Sequence, residues 1–150
     1  MPLSSITVIT DWVAITTQTG SWNTNTSYDG TYARVNDTMH ARLAILLSGA
    51  PNSTALSIDP PNGETVDESK LPTIGAGSFY PVGNFIVWDD SVSTIRGGGQ
   101  ILYNNSSNEL DFYITTTAPN TSTAVNELTP ITFASNDYIS AEFSIPISGW

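Results

Sequence analysis

Residues 138–147 read YISAEFSIPI, and this stretch decides the fold class because apolar and polar side chains alternate along it. Alternation with a period of two is typical of an antiparallel strand with one face in the core and the other in solvent. Pro146 has no N–H to donate to a ladder, so it predicts the end of the strand or the edge of a sheet. The apolar side of the strand consists of Ile139, Ala141, Phe143, Ile145 and Ile147.

The same period recurs along the rest of the chain. Turn residues separate the strands, among them Gly97, Gly98 and Gly99, which predict a hairpin turn or a close crossing of two chain segments. Many short strands with turn signals between them predict an antiparallel, all-β sandwich or barrel. One helical turn is predicted at residues 65–70, and long surface loops at residues 59–83 and 115–130. The other predicted strands are residues 39–47 and 110–114 and the shorter runs 6–9, 12–17, 32–35, 55–58, 85–89, 92–95, 100–103 and 131–134.

The composition limits the class of partner. A chain of 150 residues suits one domain, residues 1–150, in which we expect residues 1–10 to form an N-terminal arm. Fourteen acidic residues against four Lys and Arg give a net charge of −10, which opposes binding to nucleic acid or to an anionic membrane. Cysteine is absent, so there is no disulfide framework. The first residues do not resemble a signal peptide and no apolar run reaches the length of a membrane span, so we expect synthesis in a host cytoplasm.

Signals for catalysis are few. His40 is the only histidine, and the alternation places it on the polar side of its strand, where a solvated role is expected. Asp89 and Asp90 end a predicted strand, where Asp favours hydrogen bonds to local backbone, although a small glycosidase that uses one of them is an alternative. No spacing typical of a metal loop occurs. We therefore predict that the chain is not an enzyme and has no catalytic residue, cofactor or metal. Two further acidic pairs, Asp67 with Glu68 and Glu109 with Asp111, are interpreted as solvated charges.

The four tryptophans receive different predictions. Trp12 and Trp88 lie within predicted strands and are expected in the core or between sheets. Trp22 lies in a polar segment and is expected to be exposed. Trp150 is the last residue, and we expect it to pack against its own domain or a neighbour, and to be available as a contact residue.

Residues 130–150, PITFASNDYISAEFSIPISGW, resemble a recurring C-terminal segment of bacteriophage virion proteins. Those proteins close with a polar turn that contains Asp, an alternating strand and a Pro-Ile-X-Gly-Trp tail. Residues 32–43 resemble the strand–turn–strand that precedes it, with Asn36 and Asp37 where those proteins commonly carry Gly-Asp. The resemblance implies a jelly-roll-like β-sandwich, usually assembled as a trimer, in capsid decoration (cement) proteins and tail-fibre tips. It supplies no catalytic residues.

This resemblance implies a structural role in a virus particle. Because the chain passes from Met1 directly into the sandwich without a fibrous shaft, we expect a capsid decoration protein at the capsid surface, a homotrimer that binds the major capsid protein. The alternative is a tail-fibre tip that binds a host glycan, and a coat-forming protein of a non-tailed virus is a further one. The glycan residues under the alternative are Trp22, Tyr28, Asp29 and Tyr80. The partner-contact residues we predict are Leu3, Trp22, Leu71, Phe79, Tyr80 and Trp150.

Overall fold

The computed structural model describes residues 11–72, 78–115 and 122–150, and these residues form an all-β fold, as the alternation predicts. Every strand pairing in it is antiparallel. Two short 3₁₀ turns, Pro61–Gly63 and Glu68–Lys70, interrupt the strands. The strands are β1 Val13–Ala14, β2 Thr26–Val35, β3 Thr38–Leu47, β4 Ser57–Ile58, β5 Phe79–Asp89, β6 Thr94–Asn104, β7 Glu109–Thr115, β8 Ser122–Ala124 and β9 Tyr138–Pro146.

The strands form one sheet in the order β1-β2-β3-β9-β5-β6-β7-β4, with β8 alongside β7. The two ends of this path meet, because Gly20, which follows β1, bridges Ile58 of β4. Around this bridge the Ser21 N–H donates to the Ser57 carbonyl over 2.9 Å. The sheet therefore folds over on itself around one core, an arrangement that is compatible with the predicted jelly-roll-like sandwich. Within the described residues, no helix is long and apolar enough to cross a membrane.

The alternating residues of β3 and β9 line the core as predicted. On β9 the even-numbered side chains face outward while the apolar ones are buried, and the strand ends at Pro146. Burying one such side chain contributes about 1.5–3 kcal/mol, so the rows of adjacent strands dominate the folding energy. Within the same core, Trp22 and Phe133 pack edge to face with their ring centroids 5.2 Å apart.

The three consecutive glycines do not form a turn. They lie inside β6, so the predicted strands 92–95 and 100–103 belong for the most part to a single strand, and the prediction of a hairpin turn is wrong. The alternative, a close crossing, is what the structure shows. A Cβ on Gly99 would lie 1.9 Å from the Tyr113 carbonyl oxygen of the neighbouring strand β7. Only glycine allows β6 and β7 to approach this closely at that pair.

Other boundaries also differ from the prediction. β2 begins at Thr26, six residues before the predicted strand, because the polar run that contains Asp29 and Gly30 is strand and not loop. Residues 131–134 form no strand, whereas β8 lies within the predicted loop 115–130. β5 begins at Phe79, inside the other predicted loop. The predicted strand 6–9 and the predicted arm 1–10 lie outside the described residues.

Candidate functional site

The outer face of the four strands β3, β9, β5 and β6 carries a row of apolar side chains at one end. Leu46 pairs with Tyr138, Tyr138 pairs with Trp88, and Trp88 pairs with Ile95, so one residue of each strand lies side by side across the face. We call these four residues the apolar row. The Trp88 and Tyr138 rings stack with centroids 5.9 Å apart and an interplanar angle of 13°. Leu46 is 41% exposed and Ile95 is 55% exposed.

Further apolar side chains extend this surface. Ile86, one outward position before Trp88 on β5, is 40% exposed, and it faces Gly98 on β6 and Ser140 on β9, which leave it uncovered. Val92 in the turn between β5 and β6 is also exposed. Apolar side chains scattered singly over a surface are ordinary, but a contiguous set across four strands is typical of an interaction site.

The other half of the same face is polar. Arg42, Glu142, Asn84 and Gln100 form a second row across the same strands. The Arg42 Nε lies 3.7 Å from Glu142 Oε1, and its guanidinium lies over the Trp12 ring, 4.4 Å from the ring centroid.

A hollow of about 380 Å³ opens among these side chains. We call it the polar hollow. The residues that line it include Trp12, His40, Arg42, Asn84, Glu142 and Ser144.

His40 lies on the outer face, as its alternation phase predicts. Its Nδ1 is 2.8 Å from Ser144 Oγ, a pair that sequence spacing could not reveal because the two residues are 104 positions apart. A nucleophilic serine needs a base that a third group orients and activates. Within the described residues His40 hydrogen-bonds to this hydroxyl and to no carboxylate, so the pair resembles a cross-strand hydrogen bond more than a catalytic dyad.

The Asp89 carboxylate holds the end of β5, as its position predicts, whereas Asp90 contributes its backbone N–H there. The Asp89 carboxylate is buried and accepts hydrogen bonds from the backbone N–H of Ser91, over 3.0 Å, and from its hydroxyl. Asp137, also buried, accepts the Asp90 N–H over 2.9 Å and the Ala134 N–H over 2.7 Å. These carboxylates thus satisfy turn backbone around a hollow of about 690 Å³ at this end of the sheet.

A cluster of charged side chains stabilises the end of the C-terminal strand, β9. Lys70 Nζ lies 2.5 Å from an oxygen of Asp37 and 3.1 Å from one of Asp67. The hydrogen bond from Lys70 holds the pKa of the Asp37 carboxyl below its ordinary value. Hydrogen bonds from Ser69 and Lys70 do the same for the pKa of Asp67. Since the Asp67 N–H donates to the Pro146 carbonyl over 2.9 Å, this cluster ties the loop to β9.

The remaining acidic pairs also make structural contacts. Glu68 accepts a hydrogen bond from the Tyr103 hydroxyl over 2.8 Å, and Asp111 accepts one from the Asn104 amide over 3.0 Å. Within residues 11–72, 78–115 and 122–150, no group of three or more His, Cys, Asp and Glu side chains is arranged to hold a metal ion.

The structure corrects the predicted placement of three tryptophans. Trp22 is fully buried, and its indole N–H donates to the Thr54 carbonyl over 2.9 Å, so the expectation that it is exposed is wrong. Trp12 is 44% exposed and Trp88 lies on the outer face, so neither is a core residue. The polar neighbours of Trp22 in sequence misled the prediction, because burial here depends on the sheet that folds over it.

The predicted contact residues lie in different regions of the molecule. Tyr80 is buried beside Tyr103, and Phe79 is 39% exposed and packs on Tyr113. Leu71 is half-buried against the core.

Trp150 is also half-buried, with its ring 5.9 Å from that of Tyr32 and under the Arg34 guanidinium. Its packing on its own domain fits one of the two expectations for this residue. Leu3 lies outside the described residues.

Sequence reasoning missed the residues of the apolar row, although a signal for two of them was present. Leu46 and Tyr138 occupy outward positions of β3 and β9, where the alternation calls for polar side chains. The comparisons with known proteins add no further guide: no family model, no curated protein and no solved structure matches this chain.

Proposed function

We propose that the chain is a structural protein of a virus particle, a capsid decoration protein that acts by docking and not by catalysis. The observation that carries the proposal is the exposed apolar row across β3, β9, β5 and β6. The C-terminal resemblance to bacteriophage virion proteins supports the virus particle as its setting. On this view the apolar row joins copies of the chain into a trimer, and another surface binds the capsid.

The charge of the chain explains why an apolar contact suits self-association. Each copy carries a net charge of −10, so copies repel one another at long range. A contact between copies must therefore gain its energy from the removal of apolar surface from water, at about 25 cal/mol per Å². The acidity in turn favours a basic surface as the second partner, the shell of the capsid.

Immunogold labelling of intact particles with antibody against this chain tests the setting. Label spread over the head supports a decoration protein. Label confined to the tail contradicts that role and favours the alternative, a fibre tip. Particles that carry no label contradict both.

Light scattering coupled to size-exclusion chromatography tests the role of the apolar row. We expect the unaltered chain to elute as a trimer and the double variant Leu46→Ser/Ile95→Ser to elute as a monomer with unchanged strand content by circular dichroism. Leu128→Ser is the matched control, because Leu128 is 63% exposed and lies outside the row. A chain that is monomeric without substitution, or a double variant that stays trimeric, would contradict this role.

A further inference from the structure

Trp12 gives the polar hollow an aromatic wall that the assembly role does not explain. Val13 of β1 pairs with Tyr32 of β2, and this pairing carries the preceding residue, Trp12, to the outer face. The Arg42 guanidinium lies over one side of the indole, 4.4 Å from the ring centroid, and fixes its position. The side chain is still 44% exposed. At about 380 Å³ the hollow is near the lower end of the range for small-ligand sites, about 300–1,000 Å³.

The polar groups around the indole offer both donors and acceptors. Asn84 lies directly opposite Glu142 in the ladder between β5 and β9, and its amide can donate and accept. Glu142 offers carboxylate oxygens, and the pair of His40 and Ser144 lies one outward position further along β3 and β9. An exposed indole ring bordered by hydrogen-bonding groups suits a ligand that has an apolar ring face and several hydroxyl groups.

The charge of the hollow selects against ions. The positive charge of Arg42 and the negative charge of Glu142 lie 3.7 Å apart at their nearest and balance one another. An anion in the hollow would meet the Glu142 carboxylate, and a cation would meet the Arg42 guanidinium. The net charge of −10 on the chain also repels polyanions such as sulfated glycans. These observations favour a neutral ligand.

We propose that the polar hollow binds a neutral saccharide, with the sugar ring against the Trp12 indole and its hydroxyls on Asn84 and Glu142. This inference does not depend on the assembly role, since it uses the other half of the outer face. It also places glycan recognition on residues other than the four expected from sequence, because two of those, Trp22 and Tyr80, are buried.

Two-dimensional ¹⁵N–¹H NMR of the full chain tests this proposal with glucose, galactose, mannose and N-acetylglucosamine as probes. We expect at least one sugar to shift the indole N–H signal of Trp12 saturably, in the millimolar range that an open site provides, while the signal of the buried Trp22 stays in place. Trp12→Ala abolishes the shifts of the other groups in the hollow. Phe79→Ala, which removes an aromatic ring of similar exposure (39%) elsewhere on the surface, preserves them.

Two conservative variants keep the test decisive if Trp12→Ala fails to fold. Glu142→Gln keeps the shape of its side chain but removes the charge, and Asn84→Ala removes an amide from the floor of the hollow. Because a hydrogen bond to a charged group is stronger than one to a neutral group, replacing the carboxylate with an amide in Glu142→Gln should weaken binding about fivefold. The proposal is overturned if none of the four sugars shifts the Trp12 signal, if these variants bind as well as the unaltered chain, or if the charged sugar N-acetylneuraminic acid binds more tightly than all neutral ones.

Discussion

Gly99→Ala should destabilise the fold even though Gly→Ala in a strand usually does the opposite. A methyl group at this position would lie 1.9 Å from the Tyr113 carbonyl oxygen and 2.9 Å from the Ile114 Cα. The first distance is about 1.5 Å short of ordinary van der Waals contact, and both contacts are to backbone, which cannot rotate away. β7 would have to retreat from β6 at one end of a ladder that pairs Gly99 with Ile114 and Asn104 with Glu109.

The size of the effect follows from two opposed terms. Forcing an extra methyl group into a packed site costs about 1–3 kcal/mol and occasionally more. Replacing glycine lowers the entropy of the unfolded chain, and this stabilises the folded state by about 0.4–1 kcal/mol. Because the obstacle is backbone, we place the cost at the upper end and expect a net loss of about 2 kcal/mol in the free energy of unfolding. In a domain of this size such a loss lowers Tm by about 4–8 °C.

Urea unfolding followed by tryptophan fluorescence measures this loss, and an unchanged m value shows that the unfolding reaction is the same. Gly49→Ala is the matched control, because the three atoms nearest to its new methyl group all belong to the side chain of Asn25, the amide nitrogen being closest at 2.9 Å. We expect the control to change the free energy of unfolding by less than about 0.5 kcal/mol. If Gly99→Ala is as stable as the unaltered chain or more stable, the glycines of β6 are not required by the close approach, and the reasoning is refuted.

Two predictions concern pH. Burial raises the pKa of Tyr28 to about 12, so its contribution to stability is complete below pH 10.0 and is lost as the pH rises toward 12. Tyr28→Phe removes the hydrogen bond to the Trp22 carbonyl (2.7 Å) and should lower the free energy of unfolding, measured with urea, by about 1 kcal/mol. In an absorbance titration the variant should lack one phenolate ionisation at high pH. If that ionisation persists, its assignment to Tyr28 is wrong. Lys70 lowers the pKa of Asp37, Ser69 and Lys70 together lower the pKa of Asp67, and the hydrogen bonds to both carboxylates raise the pKa of Lys70. Lys70→Met should therefore reduce the free energy of unfolding over the neutral range. The difference in free energy from the unaltered chain should shrink as the pH falls below 3.8 or rises above 10.5. A difference that does not vary with pH contradicts a stabilising role for these ion pairs.

The core strands could be predicted from sequence because their signal is local. The alternation of apolar and polar residues along β3 and β9 shows which side chains face the core, and it does so without knowledge of the neighbouring strands. The three glycines of β6 gave an ambiguous local signal, because it fitted a hairpin turn as well as a close crossing of two chain segments. Gly30 and Gly99 are typical of turns, but here each faces a carbonyl oxygen of the adjacent strand, at 2.6 Å and 1.9 Å from the place of a Cβ. Such an approach depends on residues far along the chain, so the local sequence can suggest a close crossing but does not identify the strand that is approached.

The candidate surfaces were harder to predict for the same reason. Leu46 and Tyr138 are each an exception on the polar face of their own strand, and the sequence shows this for each residue separately. Only the register of β3 with β9 shows that the two residues are neighbours. Trp12 and Arg42 meet through a two-residue strand that composition does not reveal. Which residues form the apolar row or the polar hollow depends on the register between strands, and that register is determined by the whole sheet.

The separation of the two surfaces determines how the proposed roles combine. Leu46 and Arg42 lie four residues apart on β3, which is about 13 Å at the rise of an antiparallel strand. A contact centred on the apolar row can therefore bury it and leave the polar hollow open to solvent. If assembly works in this way, the trimer and the monomeric Leu46→Ser/Ile95→Ser variant should bind a neutral sugar with equal affinity. Sugar binding confined to the monomer would instead mean that the interface between copies extends over Trp12, and the two roles would then exclude one another.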